Sequence, residues 1–290
     1  MASVVVALAW AGLDAVRKSL AADVAPTVLV AWLTLGQAPV LAIWWAATAS
    51  TEPSFVDLGG YAPPAIASAV LGVAANVGFV QAVKMAPLSS TIPMLAWVPV
   101  ASVLLGWLAL GELPGPIALV GIGLVAAGAV ALDTGDRGAT SADDPEQARR
   151  GRWLMAAVAV GWAATLALDK LALRHAAAPA HATMLAVAMG TMIAVGLVLR
   201  GRGRELVKVR AIAPKLVLAV AIAALAFGLQ LWAVRLVFVS TLEAIKRALG
   251  IAASVVVGRF VFGEHPTPRQ LVAVAAMTAG AVIVIGGPLI

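Results

Sequence analysis

The chain has no cysteine, one tyrosine, three histidines and little charge: Asp, Glu, Lys and Arg together make up 12% of its 290 residues. Soluble globular domains carry about 25% charged residues. Without cysteine there is no disulfide scaffold, no thiol chemistry and no Cys-based metal site, while the compartment stays undecided on that count. His175, His181 and His265 fall at positions read as loops. No His/Asp/Glu set has ligand spacing, and neither a G-x-S-x-G elbow nor a Walker motif is present, which disfavours a membrane-embedded enzyme and an ATP-driven pump. The 27 Gly and 16 Pro follow no period, so a fibrous repeat is excluded too. No cofactor is implied.

What is abundant is apolarity: 62% of residues are hydrophobic and the mean hydropathy is +1.00. About 20 apolar residues in a helix span a bilayer core. Ten such runs can be read, near residues 2–21, 27–48, 63–83, 89–110, 115–132, 153–173, 181–199, 213–234, 239–262 and 268–287. Their continuous apolarity predicts helices, since barrel strands would alternate polar and apolar residues. The first run has Arg17 and Lys18 behind it and no basic residue before it, the reverse of a signal peptide, so it reads as a retained span. The net charge of +6 does not point to nucleic acid, because the basic residues sit at the ends of the apolar runs.

Sliding the sequence on itself by 152 positions aligns Trp10 with Trp162, Lys18 with Lys170, Ser102 with Ser254, Gly111-Glu112 with Gly263-Glu264, and Ala127–Val130 with Ala279–Val282. Rare residue types in one register along most of each half indicate a duplication. Each half holds five spans, and an odd number makes the second copy enter the membrane with opposite polarity. The expected fold is therefore an all-α integral membrane protein of ten transmembrane helices in two inverted five-helix repeats, an architecture that places substrate between the repeats near mid-membrane. The domains expected are residues 1–133, a charged cytoplasmic linker at 134–151, and residues 152–290. With both termini on the outer face, fifteen of the twenty Lys and Arg residues lie on the cytoplasmic side, as the positive-inside bias requires.

The stretch Lys84-Met85-Ala86-Pro87-Leu88-Ser89-Ser90-Thr91-Ile92-Pro93, the closing Leu110-Gly111-Glu112-Leu113, the Gly-rich Gly121–Val130 and the second closing motif Phe262-Gly263-Glu264 resemble the drug/metabolite transporter superfamily, in its ten-helix branch of two EamA repeats. The resemblance covers the chain apart from the linker. It implies transport of small organic solutes, often export of amino acids or other metabolites, by exchange or proton coupling. It also implies a central cavity lined by spans one to four and six to nine. The second half departs from the pattern, with Glu243, Lys246 and Arg247 near the places of Pro93 and Pro99.

Ionisable groups inside a span cost about 2.5–3.5 kcal/mol each on the insertion scale and therefore call for a reason. Glu243, Lys246 and Arg247 are spaced three and four apart and share one helical face. In one reading this face looks into the cavity, where Lys246 or Arg247 holds an anionic group and Glu243 serves as an ammonium partner or proton site. In the other it is an ion pair near a helix end, with Lys246 snorkelling. The duplicated positions are Thr91, Met94 and Leu95, so the scaffold itself does not demand charge there. Asp14 with Lys18, and Asp169 with Lys170, stand near the ends of spans one and six as gate pairs or as snorkelling end groups. Asn76, Gln81 and Gln230 are cavity-lining groups or interhelical glue. Trp10, Trp97 and Trp162 are platforms for a flat or cationic group, or members of the interfacial belt. Glu112 and Glu264 read as loop residues capping the helix that follows.

These residues point to a secondary transporter of the cell (inner) membrane, an exporter of an amino acid or similar amphipathic or zwitterionic solute working by alternating access. Its partners are the solute, the lipid bilayer and a proton or counter-solute, with no nucleic acid. Monomer and homodimer are both compatible. Nucleobase, nucleotide-sugar or drug exchange is the competing transport reading, and a non-transporting membrane scaffold the remaining one.

Overall fold

The computed structural model describes residues 2–20, 24–85, 92–133, 145–261 and 267–286. Eleven α-helices fall among them: α1 (Ala2–Leu20), α2 (Pro26–Gly36), α3 (Ala38–Thr48), α4 (Leu58–Met85), α5 (Trp97–Leu110), α6 (Pro116–Asp133), α7 (Pro145–Ala172), α8 (Ala178–Leu199), α9 (Ala213–Val234), α10 (Val239–Val261) and α11 (Pro268–Gly286). Two 3₁₀ stretches, Ile92–Ala96 before α5 and Gly203–Ile212 before α9, complete the set. Each of the ten expected spans has a helix in its place, with α2 and α3 forming one rod, Pro26–Thr48, and among the described residues six of these helices are long and apolar enough to cross a membrane.

Local chemistry explains where spans break or run on. Gln37 divides α2 from α3: Pro39 has no N–H to continue the ladder, and the Gln37 amide donates to the Leu33 carbonyl at 2.8 Å. Asp57 starts α4 by accepting the Gly59 and Gly60 N–H groups, each at 2.9 Å. Helix α7 begins at Pro145, well before the expected 153, because a proline at the first position and Glu146 paired with Arg150 at 2.6 Å favour helix beyond the apolar run.

Packing follows the duplication. The first and sixth spans, α1 and α7, are copies, as are the third and eighth, α4 and α9, and the fourth and ninth, α5 and α10. Helix α4 packs on α7 as α9 packs on α1, and α5 on α7 as α10 on α1. Helices α6 and α11 pack on each other, as do the two-piece α2–α3 rod and its copy α8. Exchanging the repeats maps each of these pairings onto another of them, as a pseudo-two-fold axis does. Small residues allow the closest of these crossings: a Cβ on Gly121 would stand 2.7 Å from the Gly280 carbonyl oxygen, and one on Gly280 2.6 Å from that of Gly121.

Large aliphatic side chains such as Ile43, Leu108, Leu199 and Val217 point outward, whereas the interior is rich in alanine. That inversion of the usual soluble pattern suits a lipid surround. Inside, Val6, Leu41, Leu166, Leu231 and Leu242 form an apolar layer that joins α1, α3, α7, α9 and α10. Polar groups, among them Asp169, His181, Gln230 and Glu243, are buried next to that layer and form the candidate site.

Candidate functional site

Helix α10 carries Glu243 and Lys246 one turn apart, a spacing that brings both to one face. The Lys246 ammonium lies 2.6 Å from Glu243 Oε1 and donates at 2.6 Å to Oε1 of Gln230 on α9. Its Nζ also stands 5.4 Å from the centre of the Trp10 ring on α1. A carboxylate, an amide oxygen and an aromatic face from three helices thus surround one cation. The side chains of Lys246 and Glu243 are 17% and 6% exposed, so water screens the pair little. Arg247 is half-buried one residue further along the same helix. Sequence spacing put Glu243 within reach of either Lys246 or Arg247; the contact with Lys246 and the arrival of Gln230 and Trp10 on the same ammonium come from the fold.

A second ion pair links the two repeats near one end of the bundle. Gly111 ends α5 in the left-handed region at φ 73°, with its N–H on Trp107 O at 3.0 Å and that of Glu112 on Gly106 O at 3.1 Å. This turn aims Glu112 across the repeats. Its Oε1 pairs with Lys170 Nζ at 2.5 Å, its Oε2 accepts the Val239 N–H at 3.0 Å, and Lys170 donates to the Val237 carbonyl at 2.6 Å. Glu112 is therefore a helix cap, but for α10 in the other repeat rather than for the helix that follows it. The carboxylate gains from the positive end of the α10 dipole as well as from Lys170. Lys170 does not snorkel outward; it is held between the repeats. Lys18 and Glu264, the copies of this pair, have side chains outside the described residues, as does Asp14.

Asp169, adjacent to Lys170, points elsewhere. Its Oδ1 accepts the hydroxyl of Ser68 on α4 and lies 3.3 Å from His181 Nε2 on α8. The other imidazole nitrogen, Nδ1, is 3.1 Å from the Tyr61 hydroxyl. Asp169 is 4% exposed and His181 is completely buried. The loop reading of His181 is thus corrected: α8 starts at Ala178, three residues before it, since Pro179 fits the first turn of a helix. His175 does lie between helices, 3.6 Å from Asp57, and His265 is outside the described residues. Nearby, Val56 N–H bonds His175 O at 2.8 Å and Ala177 N–H bonds Ser54 O at 3.0 Å, zipping the loops before α4 and α8 together.

The remaining candidates are not gathered into these clusters. Asn76 donates to Gly72 O on its own helix at 2.9 Å, Gln81 is exposed on α4, and Trp97 is exposed at the start of α5. Trp162 packs in an apolar cluster against Phe79, with ring centres 5.5 Å apart. Conversely, Tyr61, Ser68 and His181 escaped sequence reasoning. Each is a common core residue in isolation, and the one available signal was the cost of leaving Asp169 alone inside a span.

The EamA-like transporter family matches the chain twice, over residues 1–132 and 149–286. The chain belongs to that family, and is accordingly a multi-pass membrane transporter of the drug/metabolite type rather than an enzyme. No curated protein matches it. Among solved structures, one described only as "Crystal structure of protein" aligns with a TM-score of 0.76 at 19% identity, covering 97% of this chain and 94% of its own. At that identity it shares the fold.

Proposed function

We propose that the protein is a secondary transporter of the cell (inner) membrane that exports a small amphipathic or zwitterionic solute, amino-acid-like in its charged groups, by alternating access. The observation that carries this reading is the Glu243–Lys246 pair closed on itself beside Gln230 and the Trp10 face. A zwitterion can enter such a pair without changing its net charge: the solute carboxylate takes Lys246 and the solute ammonium takes Glu243. Each protein charge exchanges one partner for another, which avoids the cost of a bare buried ion. Trp10 offers a face to the solute's apolar or cationic part. The absence of charge at the duplicated Thr91 and Met94 supports a role in solute binding over one in the scaffold.

Both termini are assigned to the outer face and the 134–151 linker to the cytoplasm, from the distribution of Lys and Arg. In that orientation the Lys170–Glu112 pair bars the outer end, and its opening and closing is the outer gate. The repeat domains are taken as residues 1–133 and 152–290.

The test is efflux and counterflow of zwitterionic amino acids from proteoliposomes, beside nucleobases and cationic drugs. Saturable amino-acid flux that is lost in Glu243→Gln and Lys246→Met is the expected result. Flux of neutral nucleobases that these two variants leave intact would overturn the zwitterion assignment.

A further inference from the structure

The Asp169–His181 cluster has no part in holding a zwitterion, yet it is the deepest titratable group described in the bundle. Among the described residues, the hydrogen-bond partners of the Asp169 carboxylate are Ser68 and His181, and neither carries a fixed charge. Among the described residues, the surrounding elements place no cation other than the histidine on it. On α7, Lys170 is engaged by Glu112 and Val237; just beyond, exposed Arg174 donates to Leu110 O at 3.5 Å. Helix α4 offers Tyr61 and, at its opposite end, Lys84; α8 has His181 as its sole ionisable residue; α2, α3 and α5 have none. Helix α9 has Lys215 at its far end, α10 has Glu243 closed on Lys246 and, beyond it, Arg247, and the loop before α4 has Asp57 beside His175.

Charge arithmetic then separates the two buried sites. Glu243 and Lys246 sum to zero with no added proton, so protonating Glu243 would strand a cation. Asp169 with a neutral imidazole leaves one uncompensated negative charge, a state that is unfavourable when sealed from water. One proton taken from water removes that charge, whether it rests on the carboxyl or makes the imidazolium. The geometry accepts it without rearrangement. Nε2–H donates to Asp169 in both states, while Nδ1 accepts from the Tyr61 hydroxyl when the ring is neutral and donates to the Tyr61 oxygen when it is charged. A hydroxyl that serves both states by rotating is what a reversible proton seat needs.

We propose that Asp169 and His181, with Tyr61 and Ser68 as hydroxyl partners, form a proton-binding site between the repeats, filled while the Lys170–Glu112 end is closed and emptied when that end opens to water. The three helices that build it, α4, α7 and α8, come from both repeats, and Lys170 follows Asp169 directly in the chain. A deprotonated cluster therefore favours hydration and separation of the repeats at this end. Coupling of this step to solute movement rests on the transport reading above; the proton site does not.

The chain has no cysteine, so single thiols can be placed without background. Ser240→Cys puts one at the buried start of α10, beside the Val239 N–H that Glu112 caps, and Thr51→Cys puts one at an exposed position as a reference. In detergent-purified protein, the rate of maleimide labelling at position 240 relative to position 51 is measured from about pH 5 to about pH 9. The ratio should rise at least about 3-fold with pH as the cluster loses its proton, and by no more than about tenfold per unit, the limit of a single-proton transition. Asp169→Asn, a neutral mimic of the protonated state, should stay flat at the low-pH ratio. Tyr61→Phe takes away the hydroxyl that partners the imidazole in both states, so it should displace the midpoint of the profile. A flat profile in the Asp169 background, an unchanged slope in Asp169→Asn, or, should that variant not fold, an unmoved midpoint in Tyr61→Phe, overturns the proton site. Intact pH-dependent labelling without flux of any solute refutes the transport reading alone.

Discussion

Glu243→Gln and Lys246→Met, alone and together, test whether the buried pair behaves as one unit. Removing one member of a buried ion pair costs about 3–5 kcal/mol, because the survivor stays buried and uncompensated. After Glu243→Gln the ammonium still has Gln230 Oε1 at 2.6 Å and the Trp10 face at 5.4 Å. A hydrogen bond to a charged group is worth about 1.5–3 kcal/mol net and a cation–π contact about 0.5–2, so part of the loss is offset and about 2–4 kcal/mol is expected. Lys246→Met leaves a carboxylate only 6% exposed without its ammonium, and should cost more, about 3–5 kcal/mol. The double variant carries no stranded charge and should fall within about 1 kcal/mol of the parent, giving a coupling energy of about 4–9 kcal/mol. In a thermal melt of the purified protein this reads as a midpoint lowered by about 5–10 °C in either single variant and largely restored in the double. Additive single effects would show that ammonium and carboxylate are not partners, and the solute-insertion argument would fall with them.

Replacing Trp10 by Ala should weaken zwitterion binding about 2- to 30-fold, the loss of a cation–π contact of about 0.5–2 kcal/mol, while Phe retains most of it; titration of solute-induced thermal shifts measures this. Gly121→Ala drives a methyl to 2.7 Å from the Gly280 carbonyl oxygen and should destabilise by about 1–3 kcal/mol, whereas Gly123→Ala on the same helix meets nothing within 4 Å and should be neutral or slightly stabilising. Equal melts for the two would refute the close crossing of α6 and α11. Glu112→Gln removes both the partner of Lys170 and the charged cap of α10, so labelling of a Ser240→Cys thiol should accelerate several-fold; an unchanged rate would mean that this pair does not hold the end shut.

How far these features could be read beforehand varies with the range of the interaction behind them. Span number and the duplication follow from apolar runs and residue register, both local properties of the chain. Glu243, Lys246 and Arg247 are three and four apart on one helix, so their shared face was visible too, though not which base Glu243 meets. Breaks at Gln37 and the early start of α7 at Pro145 depend on caps and prolines inside or beyond the apolar run, which hydropathy averages over. Asp169 and Lys170 stand next to each other and carry opposite charges, yet they serve different clusters, because neighbours on a helix diverge by about 100°. His181 was misplaced by a helix boundary only three residues off.

Composition, register and an odd number of spans by themselves determined that this is a membrane protein of two inverted repeats, since continuous apolar runs satisfy their backbone in lipid as helices and five crossings reverse the second copy. Which polar groups meet was decided only by the packing of one helix on another. Periodicity tells which face of a helix a residue occupies, but not what stands opposite. Gln230 and Trp10 on Lys246, Glu112 on Lys170, and His181 on Asp169 exist only once the repeats close against each other.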